Sequence, residues 1–554
     1  MTAFPDVIEQ AVQSALASVT AAGSIPELEA VAFVVERPRD RDHGDWATNI
    51  ALVAAKQAGV APRDLAALVV EHLPDVSYLA STDIAGPGFI NFTLTPDWYH
   101  EVLRKAADGG PDHARGKRGS GERIQVEFVS SNPNGPLHIG HGRGGVIGDV
   151  IANALDYAGY PVSREYYYND AGVQMDRYAA SLEALYLEVN GLDTEFPEDG
   201  YHGAYVREWA EQLVAEQGDS LVDLDDRRDR IRQWGLERAM LEIEDTLEMA
   251  RISFDQWFSE TTLHESGDVD RSIEVLRERG HVYEDDGASW FRTTDFGDEK
   301  DRVLVKSDGE YTYIAPDIAY HRDKFERGFD RAINVWGADH HGYIPRMKAA
   351  VQALGYEPDR LEVLINQMVN VSRGGDPVRM SMRTGEFISF REVLEEVGTD
   401  ATRFHLAAFS PDTTINFDLE EAKAQSMDNP VYYLQYAHAR MCSLEAFAVG
   451  EGVVRQPIDE VDLSVLDHPA EFALLREADR LGEEIAEAAR RRAPHRVATY
   501  GTDFATAFHR FYSECRVVVD DPGVTQARLW LIAASKSVIL AVLGVLGLSA
   551  PETM

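Results

Sequence analysis

The chain has 554 residues, 44% of them apolar, enough for three or four domains with a core in each. It carries 53 basic and 94 acidic residues, a formal charge of −41, opposite in sign to the basic footprint of most nucleic-acid binders. Its two cysteines, Cys442 and Cys515, exclude a disulfide framework and a cysteine-based zinc site, and they fit a reducing interior.

The basic residues are nine lysines against 44 arginines. An acid-rich, lysine-poor surface suits multimolar salt, where carboxylates keep the protein solvated and self-repulsion is screened within about 3 Å. An ordinary acidic protein from a GC-rich gene is the alternative. In a high-salt setting net charge says little about partners, so the motifs must decide. The N-terminus has neither a basic region nor a long apolar stretch, which argues against a secretory signal and for a cytoplasmic location. Leu529 to Leu548 is apolar enough to test as a membrane span, but Lys536 sits near its middle. It reads as a terminal helix of a soluble domain, with no membrane partner.

Residues 1–110 alternate helical and strand patterns. Ile8 to Val19 has helical spacing, Val31 to Val35 is a β-branched run, and Leu52 to Leu73 is helical again. Ile84 to Phe92 reads as a turn entering a strand. The expectation is a small α+β domain, closed by a polar, glycine-rich linker from Asp108 to Gly121. From residue 121 the pattern becomes strand (Ile124–Val129), proline- and glycine-rich turn, helix (Val146–Ala158) and strand (Val162–Tyr168), which predicts a βαβ unit with a parallel sheet. Residues 190–275 are highly charged and helical, and read as an insertion between the halves of that sheet. Strand and helix alternation resumes and runs to residue 412. Residues 413–554 are almost purely helical and read as a separate bundle. The fold class expected is therefore α/β, a Rossmann-like parallel-sheet domain flanked by an α+β N-terminal domain and an all-α C-terminal bundle.

The densest motif is Ser130-Ser-Asn-Pro-Asn-Gly-Pro-Leu-His138-Ile-Gly140-His141-Gly-Arg-Gly-Gly145. A strand ends, a turn follows and a helix begins, and the unpaired N–H groups at such a helix start favour a phosphate. His138 and His141 add donors for a triphosphate whose charge shifts during displacement, and Gly140 leaves a flat surface for a purine. A competing reading takes Gly140-x-Gly142-x-x-Gly145 as a dinucleotide fingerprint, with Glu165 twenty residues on. The histidines and the proline-rich turn ahead of the glycines argue against it.

His138-Ile-Gly-His141 resembles the signature of class I aminoacyl-tRNA synthetases, and its flanks, from Val126-Glu-Phe through Gly-Pro-Leu-His-Ile-Gly-His-Gly-Arg-Gly, resemble the arginyl branch. The resemblance implies activation of arginine by ATP, bound with Mg²⁺ as a substrate complex and without a tightly held cofactor, then transfer to tRNA for arginine. No DNA partner is expected. In this reading ATP contacts His138, Gly140, His141, Met380, Ser381 and Arg383. The Lys-Met-Ser-Lys-Ser loop of the class matches Arg379-Met-Ser-Met382-Arg383, where Met382 replaces the second lysine. A compensating lysine three residues before the first histidine is also missing, because Gly135 stands there. Arg379 and Arg383 remain as catalytic cations, able to clamp phosphate oxygens.

A guanidinium calls for carboxylates in planar geometry. Glu127 and Asp317 match acidic positions of the arginine pocket, Tyr313 a pocket tyrosine, and Ser130 and Asn132 groups that hold the α-amino end. Asp339-His340-His341 lacks the further ligands of a metal site, and the resemblance assigns that strand end to the amino acid and ribose. Asp42 to Asn49 and Gly86 to Asn91 resemble the extra N-terminal domain of arginyl enzymes, in which Phe89 would stack on a D-loop base and Asn91 read its edge. Asn429 to Arg440, with Tyr436, resembles the start of the anticodon-binding bundle.

Overall fold

The computed structural model describes residues 4–38, 40–117, 119, 121–378 and 388–554. The chain forms two compact units, one of Met1–Asp108, Val454–Asp479 and Cys515–Ala534, the other of Gly109–Val453, Arg480–Glu514 and Ser535–Met554.

In the first unit a four-stranded antiparallel sheet pairs Val35–Glu36, Trp46–Thr48, Phe89–Leu94 and Leu79–Ala85, in that order. The β-branched run from Val31 contributes only Val35 to it. The helical stretch from Leu52 to Leu73 is two helices, Ile50–Ala58 and Pro62–Glu71. Gly59, at φ 69°, ends the first and Pro62 opens the second, a stop and start that apolar periodicity alone does not show. Asp45 accepts hydrogen bonds from the Leu94 N–H and the Tyr99 hydroxyl, so this part of the Asp42–Asn49 motif locks the sheet to the helix Pro96–Gly109.

The second unit is built on a five-stranded parallel sheet of β1 (Ile124–Glu127), β2 (Val162–Tyr168), β3 (Gln256–Ser259), β4 (Arg331–Gly337) and β5 (Leu361–Asn366). The strand order is β5-β4-β1-β2-β3. The chain thus winds outward in opposite directions from the β1/β4 boundary. Open sheets of this kind bind ligands at the carboxyl ends of the strands flanking that boundary. Helix α1 (Ile139–Tyr157) carries the crossover from β1 to β2, and α2 (Ile314–Glu326) precedes β4. Val126, Phe128, Ile147, Ile151 and Leu155 are fully buried and join α1 to the sheet.

Between β2 and β3 lie three helices, Val173–Val189, Ala204–Gln217 and Arg227–Met249, packed around Tyr178, Leu182, Trp209, Leu213 and Ile231. The insertion starts earlier than residue 190, and β3 falls inside the span expected for it. Four residues, Gln-Trp-Phe-Ser, flanked by charged helices leave too short a signal for a period-2 pattern. After residue 413 only the short strand Ile415–Asp418 interrupts the helices, and it pairs in parallel with Val369–Arg373. Helix Pro522–Leu546 is, among the described residues, the one helix long and apolar enough to cross a membrane, yet 67% of its most apolar window is buried within protein. Lys536 on it pairs with Glu445.

One buried ion pair fastens the end of the chain to α1. Arg403, with no exposed surface, donates to Asp149 of α1, to the Leu546 carbonyl at 3.0 Å and to the Ala250 carbonyl at 2.8 Å. Removing the guanidinium strips the buried Asp149 carboxylate of its closest cation, leaving it the Asn153 amide at 3.2 Å and Arg164 at 3.9 Å, and takes a donor from two carbonyls. Arg403→Ala is expected to cost about 3–5 kcal/mol. A calorimetric unfolding scan checks this, and an unchanged midpoint would show that the pair is dispensable.

Candidate active site at the sheet switch point

The site begins where β1 ends. Val129 (φ 67°) and Ser130 (φ 42°) are consecutive non-glycine residues in the left-handed region, a strained reversal of the kind concentrated at functional sites. It turns the chain across the carboxyl edge of the sheet, and the described segment then reaches His138, the N-cap of α1.

His138 Nδ1 accepts from the N–H groups of Gly140 at 3.0 Å and His141 at 3.2 Å, while His141 Nδ1 accepts from the His138 N–H at 3.4 Å. The rings stack with centroids 3.6 Å apart. Burial lowers the pKa of both, and for His141 the neighbouring His138 lowers it further. Both imidazoles are therefore neutral, and with Nδ1 accepting, each carries its proton on Nε2, as a donor. The pair offers two N–H donors beside a helix start, which suits the oxygens of a phosphate chain.

The glycines of α1 serve packing. A Cβ on Gly142 would lie 2.3 Å from the Phe390 ring, and one on Gly148 would lie 2.4 Å from Phe128 Cβ. Glu165, the acid the dinucleotide reading would need, is buried and accepts from Tyr320 at 2.6 Å and from both terminal nitrogens of Arg327 at 2.6 and 2.9 Å. That reading fails on both counts.

The same carboxyl edge of the sheet carries a cluster of carboxylates. Asp317, in the first turn of α2, accepts from the Tyr343 hydroxyl at 2.5 Å. Its carboxyl is raised to about 7, mainly by burial and further by the charges of Glu260 and Glu127. Glu260, just beyond β3, accepts from the Tyr167 hydroxyl and has His264 at 3.6 Å; burial raises it too. Two carboxylates, each anchored by one tyrosine and raised by burial, form a site short of positive charge.

Glu127 differs. Its two oxygens accept from Lys324 at 2.5 Å and from Ser130 at 3.0 Å. Asn132 donates to Gln174 at 2.7 Å. Tyr313 stands at the start of α2 with 70% of its surface exposed, and Tyr343 is the tyrosine bound to Asp317. Glu260, Tyr167, Tyr343 and Lys324 were not singled out from sequence. Lys324 shares helix α2 with Asp317, seven residues on, whereas Tyr167, Glu260 and Tyr343 come from β2 and the ends of β3 and β4, and only the sheet brings these near. Asp339 lies close enough to His138 to act on its titration, and among the described residues no cluster of His, Cys, Asp and Glu could hold a metal. Arg379, Met380, Ser381, Met382 and Arg383 lie outside the described residues. The segment that follows them returns to the site, where Phe390 N–H donates to the Leu137 carbonyl at 2.7 Å.

The positions expected to contact tRNA lie elsewhere. In the first unit the Phe89 ring is 36% exposed beside the Gly86–Gly88 turn, whereas Asn91 is 6% exposed within its strand. In the second unit Tyr436 stacks on His509 at 5.7 Å, and Arg440 lies over both Tyr436 and Tyr512 at 5.2 and 5.0 Å.

Comparison with known proteins agrees with this geometry. Family models described as "tRNA synthetases class I (R), catalytic domain", "DALR anticodon binding domain" and "Arginyl tRNA synthetase N terminal domain" match residues 112–435, 434–554 and 6–94. The chain is 48% identical to the arginine–tRNA ligase of Desulfitobacterium hafniense over 94% of both chains, and 46% identical to that of Bacillus subtilis over 99% of both. The structure of Thermus thermophilus arginyl-tRNA synthetase is similar with a TM-score of 0.74 at 24% identity, covering 98% of this chain and all of that one, a likeness that speaks to the fold. With a catalytic-domain model covering more than half its length and near full-length identity to these ligases, the chain belongs to the class I arginyl-tRNA synthetase family.

Proposed function

We propose that the switch-point site joins arginine to its tRNA in two steps. The arginine carboxylate attacks the α-phosphate of ATP, which arrives with Mg²⁺ as a substrate complex, giving arginyl-adenylate and pyrophosphate. The terminal ribose hydroxyl of the tRNA then takes the arginyl group. Neither step needs a covalent enzyme intermediate, so positioning and electrostatics carry the catalysis.

The observation that carries this reading is that one edge of the sheet holds both neutral, Nε2-protonated His138 and His141 at the end of β1 and the under-compensated Asp317–Glu260 pair. A polyanion and a planar cation are thus served along one edge of the sheet. Asp317 receives the guanidinium with Glu260 beside it, and the Tyr343 and Tyr167 hydroxyls fix one oxygen of each. The amide oxygen of Asn132 faces the α-ammonium. Arg379 and Arg383 supply charge to the outer phosphates in place of the lysine missing at position 382. Residues 1–110 and 413–554 serve the tRNA. Phe89 and the Tyr436–His509–Arg440 platform present stacking faces of the kind that read unpaired RNA bases. Composition further supports a cytoplasm rich in salt, a reading the relatives named above do not add to.

Arginyl-tRNA formation from arginine, ATP and tRNA, followed from low salt to molar KCl, tests the whole. Product is expected, with an optimum at high salt, and none at any salt would sink the ligase reading. Asp317→Asn is expected to raise the arginine KM at least ~10-fold, the loss of one charge-assisted contact, and to leave the ATP KM within ~2-fold. An unchanged arginine KM removes Asp317 from the pocket. Because only ionised Asp317 attracts a guanidinium, and its carboxyl titrates at about 7, kcat/KM for arginine should rise through neutral pH and level off above it. The sign follows from a raised carboxyl: protonation below pH 7 weakens binding. The rising limb should vanish in Asp317→Asn, and a limb that persists belongs to another group.

A further inference from the structure

Helix α1 carries a buried cation that meets carbonyls in place of a carboxylate. Arg143 has no exposed surface, and its two terminal nitrogens donate to the Gln367 carbonyl and to the Ser410 carbonyl, each at 2.9 Å. Burial lowers its pKa only to about 10, so the guanidinium stays charged at neutral pH. Among the described residues no ion pair reaches it. Burying such a charge costs stability that an apolar side chain of like length would not.

The fork fastens the far half of the sheet to the helix start. Gln367 directly follows β5 and stands just before the strand Val369–Arg373. Its N–H donates to the Pro411 carbonyl at 3.0 Å while its carbonyl accepts from Arg143, so its backbone is held from both sides. Asn366, the last residue of β5, adds a second tie: its amide donates to the Gly140 carbonyl at 3.1 Å. Gly140 and Arg143 lie in the first two turns of α1, with His141 between them and His138 as the cap. The exit of β5 is thus fixed at two points to the turns that carry the histidines.

We propose that Arg143 and Asn366 are a positioning brace for ATP, which sets the gap between the start of α1 and the exit of β5. Neither touches the nucleotide in this role. The brace rests on the reading that the phosphates of ATP meet the start of α1. A nucleotide held between these two edges needs them at one separation, and a shift of about 1 Å costs on the order of 100-fold in rate. The planar fork matters beyond its charge, because an ammonium on a flexible stem does not hold two carbonyls from separate segments in the same geometry.

The test is ATP–pyrophosphate exchange by the full-length enzyme with arginine and tRNA present, reading ATP KM, arginine KM and the unfolding midpoint. Arg143→Lys, which keeps the charge, and Arg143→Met, which removes it, are each expected to raise the ATP KM ~10-fold or more and to leave the arginine KM within ~3-fold. Asn366→Ala is expected to raise the ATP KM ~5-fold. Arg403→Ala loosens α1 at its middle, away from the helix start, and should lower the midpoint while the ATP KM stays within ~2-fold. An ATP KM that moves as far in Arg403→Ala overturns the brace, since lost stability alone then accounts for it. So does an Arg143→Lys enzyme that matches the parent, because charge without the fork then suffices. Where the Arg143 variants do not fold, Asn366→Ala decides, and an unmoved ATP KM there is decisive against the brace. His141→Ala separates the brace from the reading beneath it, and is expected to lose exchange ~100-fold. If it does so while the brace variants keep the parent's ATP KM, only the brace falls. A His141→Ala enzyme as active as the parent removes the phosphates from the helix start.

Discussion

The site depends on the backbone reversal at Val129 and Ser130. Two consecutive residues with side chains, one of them β-branched, take the left-handed conformation that glycine ordinarily fills. Such strain persists only where surrounding bonds over-determine it. Here the Ser130 hydroxyl is bonded on both sides, and the Tyr166 hydroxyl donates to the Ser131 carbonyl at 2.8 Å while accepting from its N–H at 3.1 Å. Without this turn β1 would run on past the sheet edge, and His138 would not arrive as the cap of α1.

The global charge of −41 and the local demands of the site are reconciled by neutrality. In the proposed reading, half-buried, uncharged imidazoles would meet the phosphates as donors, and their low-dielectric surroundings would strengthen those bonds. The same low dielectric works in reverse at Asp317 and Glu260, whose carboxyls burial raises, which in the proposed reading favours a cation. A surface rich in carboxylates is screened by salt within a few ångströms, so it leaves buried contacts of this kind largely untouched.

Much of this was legible in the chain because it is written locally. The histidine motif, the strand–turn–helix around it and β2 all appear in short runs with their own periodicity or spacing, while the acidic positions at Glu127 and Asp317 came from the family resemblance. What stayed hidden depends on contacts far apart in sequence. Lys324 reads as one more charge on a helix face, and only the fold carries it 197 positions back to Glu127. Glu260 looks like the solvated end of a short segment until β3 joins the sheet beside β2. The ammonium that Glu127 meets stayed hidden for the same reason: residue type announces a carboxylate, but not its partner.

The glycines show how one pattern supports two chemistries until packing decides between them. In a dinucleotide site the glycines would let a pyrophosphate approach the backbone. Here the space above Gly142 belongs to Phe390, whose N–H donates to Leu137 and whose neighbour Ser389 bridges His138. Any side chain at 142 would push away the segment that follows residues 379–387. Gly142 is therefore dictated by the meeting of two motifs more than 200 residues apart, the histidine cap and the exit of the second motif. The first places neutral imidazoles at the helix start, and the segment after residue 387 re-enters the fold against them through Ser389 and Phe390.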